Sequence, residues 1–306
     1  MARHFLLLTV VLLTTGCGSD LIMHQDGALA VIPKRTSPSG HIVVETLLNG
    51  QGPFWFALDT GSTISVVYDR ALQRSGIDPL PGIRVRVIGI TGTGEFPVAD
   101  VANISIGKET WENARVALLP DTELAAQQVD GILGIDFLQQ YAIWYSQQDK
   151  VLRLYPTEVV AARSYNGWTS IILSELRVTH GDQVLFAFDT IIDGERIPTL
   201  FDLGATVNIM NTKAARRLNI LMRKPEVGTK VTGAIGSAPV LAVLRVSRLR
   251  VNNKYWRNRI FLVGEFPIFE VFDIDKRPAI IAGTDFFRQS DFVVDFARKR
   301  LLVKAR

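Results

Sequence analysis

Two short runs in this chain place a carboxylate and a glycine at the end of an apolar strand. Phe54-Trp55-Phe56-Ala57-Leu58 leads into Asp59-Thr60-Gly61-Ser62, and Leu200-Phe201 leads into Asp202-Leu203-Gly204-Ala205. A carboxylate at the end of a buried strand costs several kcal/mol or so of desolvation unless hydrogen bonds or a partner compensate. A single Asp-x-Gly run reads equally well as an ordinary Asx-type turn. Two of them on duplicated elements can meet at an approximate two-fold axis. Held close and poorly solvated, the two carboxylates would share one proton. The protonated one can polarise a carbonyl while the ionised one takes a proton from water.

The elements around the two runs repeat with them. With the chain shifted by 143 residues, Ser62 to Ile77 lies over Ala205 to Ile220 without a gap. Asn219 then replaces Gly76 as the residue able to close a helix in the left-handed conformation. Glu45 to Gly50 matches Asp189 to Gly194, Trp111-Glu112-Asn113 matches Trp256-Arg257-Asn258, and Gly131 to Leu138 matches Ile280 to Phe287. A period this long with two copies is a duplicated domain rather than a solenoid. The register also disposes of a decoy. Phe186-Ala187-Phe188-Asp189-Thr190 imitates the first run, but it pairs with a hairpin and no glycine follows Thr190. Trp111 and Trp256 are expected in the core.

Asp59-Thr60-Gly61-Ser62, followed in order by a helix and by Gly131-Ile132-Leu133-Gly134-Ile135-Asp136-Phe137-Leu138, resembles the retropepsin-like aspartic proteases. The resemblance covers residues 28 to 155 and, more weakly, 168 to 306. Retropepsins assemble two identical chains, whereas this chain carries both halves, like the two-lobed pepsins. The resemblance implies a mainly β fold: two homologous β-barrel lobes related by a pseudo-two-fold, with Asp59 and Asp202 at the floor of the cleft between them. Thr60, Gly61, Ser62 and Gly204 would support the active-site loops, and Gly134 and Gly283 would brace them from beneath. Gly89, Gly92 and Gly94 fall where the family has its mobile flap, and three glycines in six residues suit a loop that moves. The second-lobe counterpart, Thr232 to Ser237, is expected as a structural hairpin, as in pepsins.

The second motif departs from the family at Leu203, where the family has a threonine or serine whose hydroxyl ties the two loops together. Thr60 could reach across the axis, but Leu203 could not answer. The expected activity is an aspartic endopeptidase cutting an extended peptide of an envelope protein. The alternatives are a pseudo-protease that binds a peptide without cutting it, and a homodimer in which two first lobes form the site.

Composition narrows the remaining classes. At 306 residues with 47% hydrophobic and 21% charged residues, the chain is globular and long enough for two ordinary domains or one large one. A net charge of +4 does not argue for nucleic acid. The four histidines lack metal-ligand spacing, so no metal and no cofactor are expected. Charge is uneven: residues 27 to 155 carry 10 Lys+Arg and 13 Asp+Glu, residues 168 to 306 carry 22 and 14. Arg245, Arg248, Arg250, Lys254, Arg257 and Arg259 cluster in one predicted hairpin. Period-two geometry puts Arg248 with Arg250 and Arg257 with Arg259 on shared faces. Such a face reads as a solvated surface or as one facing anionic lipid or an acidic substrate.

Residues 1–16 read as a signal peptide, with Arg3 before an apolar run from Phe5 to Leu13 too short to span a bilayer. Thr14-Thr15-Gly16-Cys17 resembles a lipobox and marks Cys17, the single cysteine, as the lipidation site, with Thr14 departing from the usual aliphatic residue. The expected organisation is a tether at 17–27, one lobe at 28–157 and a second at 158–306. The protein is expected as an exported monomer, lipid-anchored on the periplasmic side of a bacterial envelope.

Overall fold

The computed structural model describes residues 27–123, 128–161, 165–178 and 183–305. The signal peptide, Cys17 and nearly all of the tether lie outside the described residues. The first half contains β1 (Ala30–Pro33), β2 (Arg35–Thr36), β3 (Ile42–Leu48), β4 (Gln51–Leu58), β5 (Val66–Tyr68), β6 (Arg84–Gly89), β7 (Gly92–Ile106), β8 (Glu109–Leu119), β9 (Gly131–Leu133), β10 (Ala142–Ser146) and β11 (Val151–Tyr155). The second contains β12 (Thr169–Ile172), β13 (Ser174–Arg177), β14 (Val184–Ile192), β15 (Glu195–Phe201), β16 (Asn208–Met210), β17 (Lys230–Thr232), β18 (Ser237–Pro239), β19 (Ala242–Val251), β20 (Lys254–Val263), β21 (Ile280–Ala282), β22 (Ser290–Asp295) and β23 (Arg300–Ala305). The protein is mainly β, and its halves repeat each other strand for strand except that β7 is answered by β18 and β19.

Each half has its own curled sheet, in the order β2-β3-β4-β9-β5-β8-β7-β6 and β13-β14-β15-β21-β16-β20-β19. A further six-stranded sheet, β1-β11-β10-β22-β23-β12, takes three strands from each half. At its centre β10 runs antiparallel to β22, with Trp144 opposite Val293, Ile143 opposite Val294 and Tyr145 opposite Phe292. Trp144 and Val293 are also counterparts in the sequence repeat, so the pseudo-two-fold axis passes through that pair.

Local chemistry explains the element ends. The helix Asp69–Ser75 stops at Gly76, with φ 65°, and the helix Thr212–Leu218 stops at Asn219, with φ 48°. Asn tolerates this left-handed conformation better than other side chains. The Asn211 side chain caps the second helix by accepting from the Ala214 amide at 2.9 Å. The repeated Trp-x-Asn has a similar cause: Asn113 and Asn258 sit inside β8 and β20 at φ 53° and 51°.

That kink corrects the period-two reading of the basic hairpin. Alternation fails at Asn258, so Arg257 points to solvent while Arg259 turns inward and is buried. Its Nε donates to the Phe286 carbonyl at 3.2 Å, and burial holds its pKa below the usual guanidinium range. The register is kept across the kink, with Val246 opposite Arg259 and Arg248 opposite Arg257, so no residue is added and the two strands change faces together.

Candidate active site

Each aspartate is carried to the centre by the same device. β9 runs parallel to β4 and antiparallel to β5, and β21 sits likewise between β15 and β16. The Asp59 amide donates to the Leu133 carbonyl at 3.0 Å, and the Asp202 amide to Ala282 at 3.1 Å. The strand ends are thus fixed by backbone bonds inside each sheet. Phe201, just before Asp202, packs edge-on against Phe287 with ring centroids 5.6 Å apart, which anchors the second loop to the core.

Gly134 and Gly283 lie against these loops, and space explains them. A Cβ on Gly134 would come within 2.8 Å of the Ile64 carbonyl, and one on Gly283 within 2.6 Å of the Ala205 carbonyl. Just beyond, the Ile135 amide donates to Ser62 and the Thr284 amide to Ala205, both at 2.8 Å. Sequence reasoning missed the side chains that lock this brace. Asp136 accepts from the Ser65 amide and hydroxyl, each at 2.8 Å, and the Ser65 hydroxyl accepts from the Gly134 amide at 3.0 Å. In the second half the Asn208 side-chain amide donates to Asp285 at 2.9 Å. The signal was present, since an aspartate stands two residues after each glycine.

Across the axis the two loops interlock. Asp59 and Asp202 share a side-chain hydrogen bond at the floor of the cleft. Each carboxyl group fills the space that a side chain on the other loop's glycine would need: a Cβ on Gly61 would lie 2.6 Å from the Asp202 carboxyl, and one on Gly204 would collide with that of Asp59. The Gly61 amide donates to Asp59 at 2.8 Å, and the Gly204 and Ala205 amides donate to Asp202 at 2.8 and 3.1 Å. Ser62 turns its hydroxyl to the Ile64 carbonyl at 2.7 Å, shaping the first turn. The Thr60 hydroxyl donates to the Phe201 carbonyl and accepts from the Leu203 amide, while the Leu203 side chain is buried in the core.

The two carboxyls differ. Burial raises the Asp59 pKa to about 6, opposed by the Gly61 amide, Asp202 and the Ser62 amide. Asp202, only 1% exposed, is pushed well above the usual carboxylate range by burial first and by the charge of Asp59 second. Both shifts favour protonation, so the pair holds one proton between the two carboxyls.

His41 is a second member of the site that its sequence context did not reveal. Its ring is buried, meets the Ser39 hydroxyl at 2.7 Å through Nδ1, and donates to the Gly204 carbonyl. It thus reaches from the first half to the second aspartate's loop.

Two hairpins roof the cleft. The tip of β6–β7 meets the turn between β17 and β18, where the Thr91 hydroxyl donates to the Ile235 carbonyl at 2.8 Å. The Glu123 carboxylate reaches the Lys230 ammonium and accepts from the Thr232 hydroxyl at 3.0 Å. The hairpin around Thr232 to Ser237 is therefore not merely structural: Thr232, Gly233 and Ala234 line the cleft opposite Ile88, Gly89 and Ile90. The flap glycines have close approach as one cause. A Cβ on Gly92 would lie 3.1 Å from the Ile235 carbonyl, and one on Gly94 would strike the Phe96 ring at 2.7 Å. The enclosed cleft holds about 260 Å³, with both aspartates at its base and aliphatic walls from Val87, Ile132, Val207 and Leu262.

A duplicated β fold that brings two strand-end aspartates together at a pseudo-two-fold, under paired hairpins, defines an aspartic-protease-type protein. The family model described as aspartyl protease matches residues 44–137 and again 188–286, and the chain belongs to that family. A comparison with curated proteins gave no match.

Proposed function

We propose that the protein is an aspartic endopeptidase. The observation that carries this reading is the hydrogen bond between Asp59 and Asp202 beneath a roofed, aliphatic cleft. A water held between the carboxyls gives a proton to ionised Asp59 as its oxygen attacks the peptide carbonyl carbon. Asp202 gives its proton to the carbonyl oxygen, and a tetrahedral diol forms. Asp59 then passes its proton to the leaving nitrogen, one diol hydroxyl returns a proton to Asp202, and the C–N bond breaks. Both carboxyls end as they began. The aliphatic walls favour apolar side chains beside the cut bond, and the two hairpin edges suit an extended backbone.

The substrate proposed is a polypeptide of a bacterial envelope, reached after export under the leader at residues 1–16 and lipidation of Cys17. A second reading, a peptide-binding module without turnover, draws on Leu203, which leaves the cross-axis tie one-sided. The test is cleavage of a peptide library by wild type, Asp59→Asn and Asp202→Asn. Loss in both variants, with peptide binding kept, supports the protease. A wild type that binds peptides and cuts none supports the binding module.

A further inference from the structure

Away from the cleft, residues 212 to 227 carry Lys213, Arg216, Arg217, Arg223 and Lys224 against one carboxylate, Glu226. Arg217 pairs with Glu195 at 3.0 Å, but among the described residues no carboxylate pairs with Arg216, Arg223 or Lys224. Beside these cations large aliphatic side chains stand in water: Leu221 is 79% exposed, Met222 45%, Leu241 54% and Val227 fully exposed. Single exposed aliphatics are ordinary, but four gathered beside unpaired cations are not. The loop is held in place, because Arg223 and Val243 exchange backbone hydrogen bonds of 2.8 and 2.9 Å. Between it and the helix Thr212–Leu218 lies a hollow of about 310 Å³, rimmed by Arg216, Arg223 and Lys224 and floored by Leu241, Ala242 and Val263.

We propose that this face docks on a membrane surface with anionic headgroups. The cations match phosphate groups, and the protruding Leu221, Met222 and Val227 side chains match the acyl boundary beneath them. A soluble anion would satisfy the cations and leave the aliphatic tips in water, so a lipid surface accounts for both features. The contact is separate from any lipid at Cys17. It also has a consequence for the cleft. Lys224 to Lys230 and Ser237 to Leu241 line the adjoining surface hollow and lead into the β17–β18 hairpin, so docking would hold the second flap beside the bilayer.

The test is co-sedimentation of the full chain with two vesicle types: phosphatidylcholine alone, and the same lipid with a quarter replaced by phosphatidylglycerol. A lipid on Cys17 contributes to both, so the ratio of the two affinities reads the patch. The ratio is expected on the order of tenfold at low salt and to fall in high salt. Arg216→Glu with Lys224→Glu is expected to bring it close to one, and Leu221→Asn with Met222→Asn to weaken binding to the mixed vesicles. Circular dichroism checks that both variants are folded. Equal binding of wild type to both vesicles, or a ratio unmoved by the charge reversals, overturns the proposal. A patch-dependent protein complex without vesicle binding overturns it in favour of a protein partner.

Discussion

The Thr60 hydroxyl accepts a hydrogen bond of 2.9 Å from the Leu203 amide, and Leu203 has no hydroxyl with which to answer. The loop tie that the family makes in both directions is made here in one direction only. Thr60 also donates to Phe201 at 2.8 Å, so one hydroxyl holds both flanks of Asp202. Thr60→Val removes both bonds while keeping the side chain's shape. It is expected to destabilise the fold by about 1–3 kcal/mol and to lower kcat much more than it raises KM. Leu203→Met, which keeps an apolar group of similar volume, is expected to cost less than about 1.5 kcal/mol. Urea denaturation and peptide-cleavage kinetics check both.

The dyad sets the pH response. Cleavage needs one proton on the pair, a form reached as pH rises through about 6, where the dyad loses its first proton, and lost again only once it gives up the second. Activity should therefore be strong near neutral pH and fall below about 6; an optimum near pH 4 would refute this assignment.

The same shift makes Asp59 a stability liability. Its folded-state pKa of about 6 lies above the ordinary carboxylate value, so the folded protein binds more protons across the window between them. Stability from this group is fully present at low pH and is lost as pH rises to about 6. Asp59→Asn is expected to be more stable than wild type at neutral pH by up to about 3 kcal/mol, with the gain vanishing below about pH 4. Denaturation midpoints at several pH values measure it.

His41 acts in the opposite sense. Burial lowers its pKa to about 4, so the folded protein binds fewer protons than the unfolded chain between that value and about 6.5. Stability is present above the unfolded value and is lost as pH falls through the window. His41→Gln does not titrate, so wild type should lose up to about 3 kcal/mol relative to this variant on going from pH 6.5 to 4. Paired denaturation curves decide the sign.

The flap contact is testable in isolation. Thr91→Val deletes hydrogen bonds to the Ile235 and Gly236 carbonyls at 2.8 and 3.1 Å without touching the cleft floor. Faster amide exchange in the β6–β7 hairpin is expected, with KM raised about fivefold for roughly 1 kcal/mol lost. Unchanged exchange would mean that the tips are held by something else.

The sequence by itself determined the duplication, both aspartates, the helix ends at Gly76 and Asn219, and the glycines under the loops. These are local demands: a left-handed turn, a close backbone approach, an apolar strand ending in a carboxylate, each repeated within one chain. Tertiary structure alone decided that the axis passes through Trp144 and Val293, that His41 reaches Gly204, that both hairpins roof the cleft, and that Arg259 points inward. Each of these depends on residues more than a hundred positions apart, or on a left-handed kink at Asn258 that breaks the side-chain alternation. Period and composition carry no record of which distant surfaces meet.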